Sequence, residues 1–276
     1  MRRFAQVDVF TSRPGLGNPV AVVLDAEGLS DEEMQRLANW TNLSETTFVL
    51  PATTSKADYR VRIFTPGREL PFAGHPTIGT CKALVDVGQL QSGAAWVQEC
   101  AAGLVELRRL DDGATAFAAP AAVSVEPLVD EELFTRVLGG VKADQPTIIE
   151  IGPRWLVGRV RVEELHALQP DLAAYRKLCA ITTDFTLYAL DAAGDLHVRS
   201  FFDDGGSLIE DPVCGSGNAC VARHVQLSGL DVALGSGYQA FQGRHRGRDG
   251  RISVQLGEQN WIGGEAVTVV SGTIAV

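Results

Sequence analysis

A chain of 276 residues can form one large domain or two ordinary ones, and its apolar fraction of 45% suits a packed globular protein. A formal net charge of -10 argues against a large nucleic-acid footprint, and no stretch is apolar for long enough to span a bilayer. Cys81, Cys100, Cys179, Cys214 and Cys220 are odd in number and irregularly spaced, which favours free thiols over a disulfide framework. With no apolar signal segment following Met1, a cytoplasmic protein is expected.

In chain order, Phe4 to Phe10 alternates like a strand, and the turn cluster Ser12 to Pro19 leads into an apolar strand from Val20 to Leu24. Ser30-Asp31-Glu32-Glu33 is a capping box, and the helix it opens buries Met34, Leu37 and Ala38. Strands follow at Ser44 to Leu50 and Tyr59 to Phe64. Pro76 to Val87 reads as a helix, with Pro76 in its first turn and Gly88 at its stop, and it is apolar almost all round, as a helix surrounded by protein is. The strands after it turn at Asp112-Gly113. Pro120 to Pro127 marks a domain boundary. A helix is expected from Asp130 to Leu138, strands at Thr147 to Ile151 and Arg154 to Val160, and a helix over Leu172 to Cys179. Strands at Phe185 to Leu190 and Leu196 to Phe202 lead to a second helix after glycine, Gly217 to Ser228. Asp249-Gly250 is expected to turn a hairpin between Tyr238–Arg246 and Arg251–Leu256, and the apolar last strand, Ala266 to Val276, needs a partner.

The second half repeats the first. Val61-Arg62-Ile63-Phe64 matches Val198-Arg199-Ser200-Phe201, and Phe48-Val49-Leu50 matches Phe185-Thr186-Leu187, both at a separation of 137 residues. The stretches Glu69 to Gly79 and Glu210 to Asn218 match at a separation of 141, with Gly74 on Gly215 and His75 on Ser216. The second copy therefore carries a four-residue insertion around Asp203-Asp204-Gly205-Gly206. Two long copies imply a duplicated fold rather than a solenoid.

The chemistry concentrates near these repeats. Gly74 and Gly215 to Gly217 let backbone N–H groups approach a ligand at a helix start, where an anion is favoured. Two such ends suit a small carboxylate. Gly215-Ser216-Gly217 is no dinucleotide fingerprint, because Cys220 stands where a third glycine belongs. Cys220 and His224 lie one helical turn apart and could bind zinc with Cys214, but that spacing is non-specific; Arg244 to Arg248 reads as a solvated hairpin before it reads as a phosphate site. Glu45 falls on Thr182 in the repeat, so this acid exists in one half only.

Taken together, Gln6 to Phe10, Asn18-Pro19, Ser44-Glu45-Thr46, Thr65-Pro66, Glu69 to Gly79, Glu210 to Asn218, Gln242-Gly243 and Gly247-Arg248 resemble the phenazine-biosynthesis isomerase (PhzF-like) family over nearly the whole chain. The resemblance implies an α/β fold of the diaminopimelate-epimerase kind: two pseudo-symmetric domains, each a strand barrel around a central helix, with the active site in the cleft between them. The expected domains are 1–120 plus the returning strand 265–276, and 121–264. It further implies a cofactor-free isomerase with Glu45 as the acid/base, and His75 and Asp211 assisting proton movement and orienting the substrate. Ser44, Gly74, Cys214, Gly215 and Ser216 would contact a small carboxylate substrate. The family's named substrate is trans-2,3-dihydro-3-hydroxyanthranilate, and the family suggests a homodimer. No metal, nucleic-acid or membrane partner is expected. A racemase of this fold uses one thiol from each half; here Cys214 faces Ala73 in the repeat, which disfavours that alternative. A binding protein without turnover is the third reading.

Overall fold

A computed structural model describes every residue except 94, 183, 205 and 206, and Asp204 by its backbone alone. The expected insertion at Asp203 to Gly206 thus lies partly outside the described residues. The chain forms two compact units: Met1–Ala118 with Asp249–Arg251 and Ile262–Val276, and Ala119–Arg248 with Ile252–Trp261.

The first unit opens with β1 (Arg2–Val9), β2 (Asn18–Val23), α1 (Asp31–Thr41), β3 (Glu45–Leu50), β4 (Tyr59–Phe64) and the short β5 (Glu69–Leu70). Then come α2 (Gly74–Asp86), β6 (Ala95–Cys100), β7 (Gly103–Arg109) and β8 (Thr115–Ala118). Both halves of the capping box at α1 form, Ser30 Oγ accepting from the Glu33 N–H and Glu33 from the Ser30 N–H, and Asn42 ends the helix in the left-handed region. Its apolar stripe of Met34, Leu37 and Ala38 packs with Val23, Phe48 and Phe64. The all-round apolar character of α2 has a matching environment: the helix lies against β1, β2, β3 and β8. Gly79 makes the close approach possible, since a Cβ there would sit 2.3 Å from Val20 Cγ1. The Asp112-Gly113 turn joins β7 to β8 as an antiparallel hairpin, with Gly113 at φ 85°.

The second unit holds β9 (Ser124–Pro127), α3 (Glu131–Val137), β10 (Asp144–Glu150), β11 (Arg154–Arg159), α4 (Val162–Ala167), α5 (Leu172–Leu178), β12 (Asp184–Leu190) and β13 (Leu196–Asp204). It continues through β14 (Ser207–Asp211), α6 (Gly215–Leu227), α7 (Asp231–Leu234) and β15 (Gly237–Gln242). Phe185 is central to its core, stacked on Phe201 at 4.8 Å and edge-on to Phe134 at 5.8 Å. The chain closes with β16 (Gly250–Gln255), β17 (Trp261–Gly264) and β18 (Ala266–Ile274). The last strand pairs antiparallel with β1, with a bulge between Gln6 and Val7.

The duplication is visible in the pairing. β1–β2, β2–β3, β3–β4 and β4–β6 run antiparallel, parallel, antiparallel and parallel. β10–β11, β11–β12, β12–β13 and β13–β15 repeat that order. In each copy an antiparallel strand then leads into a 13-residue helix, α2 or α6.

One expected element differs. The strand expected over Tyr238–Arg246 stops at Gln242, and Arg244–Arg246 form a 3-10 turn closed by Gly243 O accepting from the Arg246 and Arg248 N–H groups. Gly243 stands at φ 101° and a Cβ there would lie 2.5 Å from the Pro212 carbonyl oxygen, so both the backbone and the space demand glycine. Gly250, read as a turn residue, instead opens β16.

Candidate active site

Glu45 is the first residue of β3 and stands in register with Val20 of the parallel strand β2. Its side chain is 15% exposed, and Oε2 lies 3.4 Å from His75 Nε2. His75 is the second residue of α2 and is buried. Burial pushes its imidazole down to about 3, against the opposing pull of the Pro19 backbone, so the ring is neutral at neutral pH. The contact is therefore between a carboxyl group and a neutral imidazole. On the other side of the ring, Asn18 Nδ2 lies 3.5 Å from Nδ1. Asn18 opens β2 and is fully buried. Ser44 precedes Glu45 and is half-buried. Gly74 starts α2, where Ala73 supplies no side-chain cap; the first-turn N–H groups are left to other acceptors.

In the second unit Asp211 ends β14, Cys214 is the N-cap of α6, and Gly215 and Ser216 are that helix's first residues. Asp211 Oδ1 accepts from the Val213 N–H at 2.9 Å. Burial pushes the Asp211 carboxyl up to about 6, with the Cys214 thiol and the Val213 amide pulling the other way. An acid so placed can hold or release a proton near neutrality. The Cys214 thiol is pushed up, by burial first and by the Asp211 charge second, and is protonated at neutral pH. Its Sγ accepts from the Gly217 N–H at 3.2 Å, so it serves as the helix cap. Ser216 Oγ accepts from Trp155 Nε1 at 3.2 Å.

Of the residues expected at the site, Ser44, Glu45, Gly74 and His75 thus fall in the first unit, where Glu45 meets His75. Asp211, Cys214, Gly215 and Ser216 cluster in the second. Sequence reasoning assigned no role to two residues that hold these groups. Asn18 touches the ring from 57 positions away. Gln242 clamps the second loop: its Oε1 accepts from the Cys214 N–H at 3.1 Å and from Asn218 Nδ2 at 3.0 Å, while its Nε2 donates to the Asp211 carbonyl at 3.1 Å. Their only sequence signal was their place in the motif stretches. The zinc arrangement weighed for Cys214, Cys220 and His224 is not formed. His224 Nδ1 meets the Tyr188 hydroxyl at 2.9 Å and Nε2 the Gln145 carbonyl at 2.8 Å, while Cys220 Sγ donates to the Ile149 carbonyl. Among the described residues, no group of three or more such side chains could hold a metal ion, and no helix is long and apolar enough to cross a membrane.

Comparison with known proteins extends this picture over the whole chain. A family model described as phenazine biosynthesis-like protein (PhzC-PhzF) matches residues 7–272. The chain is 37% identical over 265 residues to trans-2,3-dihydro-3-hydroxyanthranilate isomerase of Pseudomonas aeruginosa, covering 91% of this chain and 89% of that one. It is 36% identical over 293 residues to antisense-enhancing sequence 1 of Schizosaccharomyces pombe, covering 98% and 97% respectively. The crystal structure of a Bacillus anthracis phenazine biosynthesis protein of the PhzF family superposes with a TM-score of 0.82 at 27% identity, covering 100% and 99% of the two chains. The mixed α/β architecture, the whole-length family match and the isomerases among its relatives agree: the chain belongs to the phenazine biosynthesis-like (PhzC-PhzF) family and is an isomerase.

Proposed function

We propose that the chain moves a proton on a small carboxylate without a cofactor, with Glu45 as general acid/base. Glu45 removes a proton from a carbon made acidic by a conjugated carboxylate or keto group and returns it elsewhere on the same face. His75 and Asp211 assist in the same turnover, the first as a neutral hydrogen-bonding group and the second as an acid that titrates near neutrality. Ser44, Gly74, Gly215 and Ser216 bind the substrate carboxylate, where the N–H groups that open α2 and α6 favour negative charge. The observation that carries this reading is the Glu45 carboxyl, held largely out of water 3.4 Å from a neutral imidazole. Cys214 contacts substrate rather than acting as the base, because its thiol is raised and its repeat partner is Ala73. The substrate class follows the relative named for trans-2,3-dihydro-3-hydroxyanthranilate.

The test is incubation with that compound and a panel of conjugated carboxylic acids in deuterated water, read by mass and NMR. Wild type incorporates deuterium into a member of the panel and isomerises it. If no compound that binds exchanges, a binding protein is the correct description. Activity should survive a chelator; loss restored by zinc would contradict the cofactor-free reading. We further propose a cytoplasmic homodimer, which light scattering on the purified chain would test.

A further inference from the structure

We propose that Asn18 is a positioning residue: its side-chain amide donates to His75 Nδ1, keeps the imidazole proton on Nε2, and so makes His75 a hydrogen-bond donor toward the Glu45 carboxylate. The inference rests on the reading of Glu45 as the proton-transfer base.

The argument starts from what each group can do. An amide nitrogen only donates, and a neutral imidazole has one donor and one acceptor nitrogen. His75 is neutral because it is buried. In the proposed arrangement the Asn18 amide, with Nδ2 3.5 Å from Nδ1, donates to that nitrogen, which leaves the imidazole proton to Nε2. Nε2 is the nitrogen that lies 3.4 Å from Glu45 Oε2. Both separations are long, and His75 Nε2 makes no hydrogen bond in this structure, so the contact with Glu45 is one that would tighten only around a substrate. An N–H brought onto a carboxyl oxygen favours its charged form, the form able to take a proton from carbon. The other tautomer would aim a lone pair at the same oxygen and favour a protonated Glu45. One amide therefore selects whether the resting site holds a base or an acid.

The amide is delivered from a rigid place. Asn18 is the first residue of β2, directly after a turn held by Asp8, whose Oδ2 accepts from the Gly15 N–H at 2.5 Å and the Gly17 N–H at 3.3 Å. Gly17 has no room for a side chain, since a Cβ would lie 2.2 Å from the Val9 carbonyl oxygen. The Pro19 backbone also interacts with the ring, as an acceptor that draws the proton to the nitrogen facing it, and the tautomer is decided between that pull and the Asn18 amide.

Nitrogen-15 NMR of the ligand-free protein at pH 7, with His75 assigned through His75→Gln, reads the tautomer directly. Wild type is expected to carry its proton on Nε2. Asn18→Asp replaces the donor with an acceptor and should move the proton to Nδ1. With trans-2,3-dihydro-3-hydroxyanthranilate as probe, its kcat/KM at pH 7 should fall about 10²-fold, with the acidic limb of the pH profile moved to higher pH. A wild-type proton on Nδ1 overturns the proposal, and that spectrum decides even if Asn18→Asp fails to fold. A flipped tautomer with an unchanged pH profile also overturns it. Because the spectrum needs no substrate, it stands apart from the Glu45 assignment: an Nε2 proton in a protein whose Glu45→Gln variant turns over normally supports the tautomer and removes Glu45 as the base.

Discussion

At the scale of single residues, protonation states carry the proposed mechanism. Glu45→Gln keeps the shape of the side chain but cannot accept a proton from carbon. Turnover should fall ~10²–10⁴-fold while binding persists, measured by deuterium incorporation beside a binding titration. Asp211 makes a different prediction. Its folded value, about 6, lies above that of a free carboxyl, so the unfolded chain releases this proton first as pH rises. The charge therefore opposes folding increasingly between about pH 4 and 6 and fully above that. Asp211→Asn should raise the denaturation midpoint at pH 7 relative to wild type and lose that advantage at pH 4, even as activity drops. An equal effect at both pH values would show that the fold does not raise the Asp211 carboxyl. Glu45 could be singled out from the sequence by the family resemblance, together with a repeat that leaves it without an acidic counterpart. Asn18 and Gln242 could not, because their roles are contacts with groups 57 and 28 positions away.

At the scale of elements, the duplication carries a matched pair of strand latches. Arg62 of β4 grips Glu69 of β5 through two nitrogens, at 2.7 and 2.6 Å. The repeat equivalents, Arg199 of β13 and Glu210 of β14, do the same at 3.1 and 2.8 Å. Each latch holds the strand that leads into a glycine-started helix. Their surroundings differ. The Arg62 and Glu69 side chains are 25% and 34% exposed, while those of Arg199 and Glu210 are 8% and 10% exposed. Arg199 also donates to the Leu165 and Leu168 carbonyls around the end of α4, both at 2.9 Å. Removing the cation should therefore matter unequally. Arg62→Met should cost about 1 kcal/mol or less. Arg199→Met strands a buried carboxylate and two carbonyls, and should cost ~3–5 kcal/mol. Urea denaturation of the two variants side by side decides it, and equal losses would refute the role of burial. The capping box of α1, the Asp112-Gly113 hairpin and the buried character of α2 were all readable in sequence, since each depends on residues within one or two turns of chain. The end of β15 was not, because the chain leaves the strand at Gly243 for a 3-10 turn, and the Pro212 carbonyl that leaves no room for a Cβ at Gly243 comes from far along the chain.

At the scale of the whole molecule, each unit encloses a neutral histidine. Burial pushes His75 down to about 3 in the first unit, and it also lowers His224 in the second. Both rings are harder to charge in the fold than in the unfolded chain. For such a group the unfolded chain binds the extra proton below about pH 6.5, so stability is lost as pH falls toward the folded value. The slope is about 1.4 kcal/mol per pH unit for each fully differential proton. Replacing His75 with Gln should flatten the acid limb of stability against pH between about 3 and 6.5, and His224→Gln should flatten it further, both followed by denaturant midpoints across pH. An unchanged slope in both variants would place the acid sensitivity elsewhere.

What the sequence determined by itself was whatever short-range chemistry and repetition encode. Hydrophobic period and capping residues set the helices, a shared offset of 137 residues exposed the duplication, and the motif around Phe72 to Thr77 pointed to the family. What only the tertiary structure decided was which side chains meet and how much water they keep. Histidine, aspartate and cysteine have ordinary proton affinities along an unfolded chain. His75 becomes neutral, Asp211 titrates near 6 and the Cys214 thiol stays protonated because packing removes their hydration. Desolvation depends on the three-dimensional density around a group, which no local pattern of residues states.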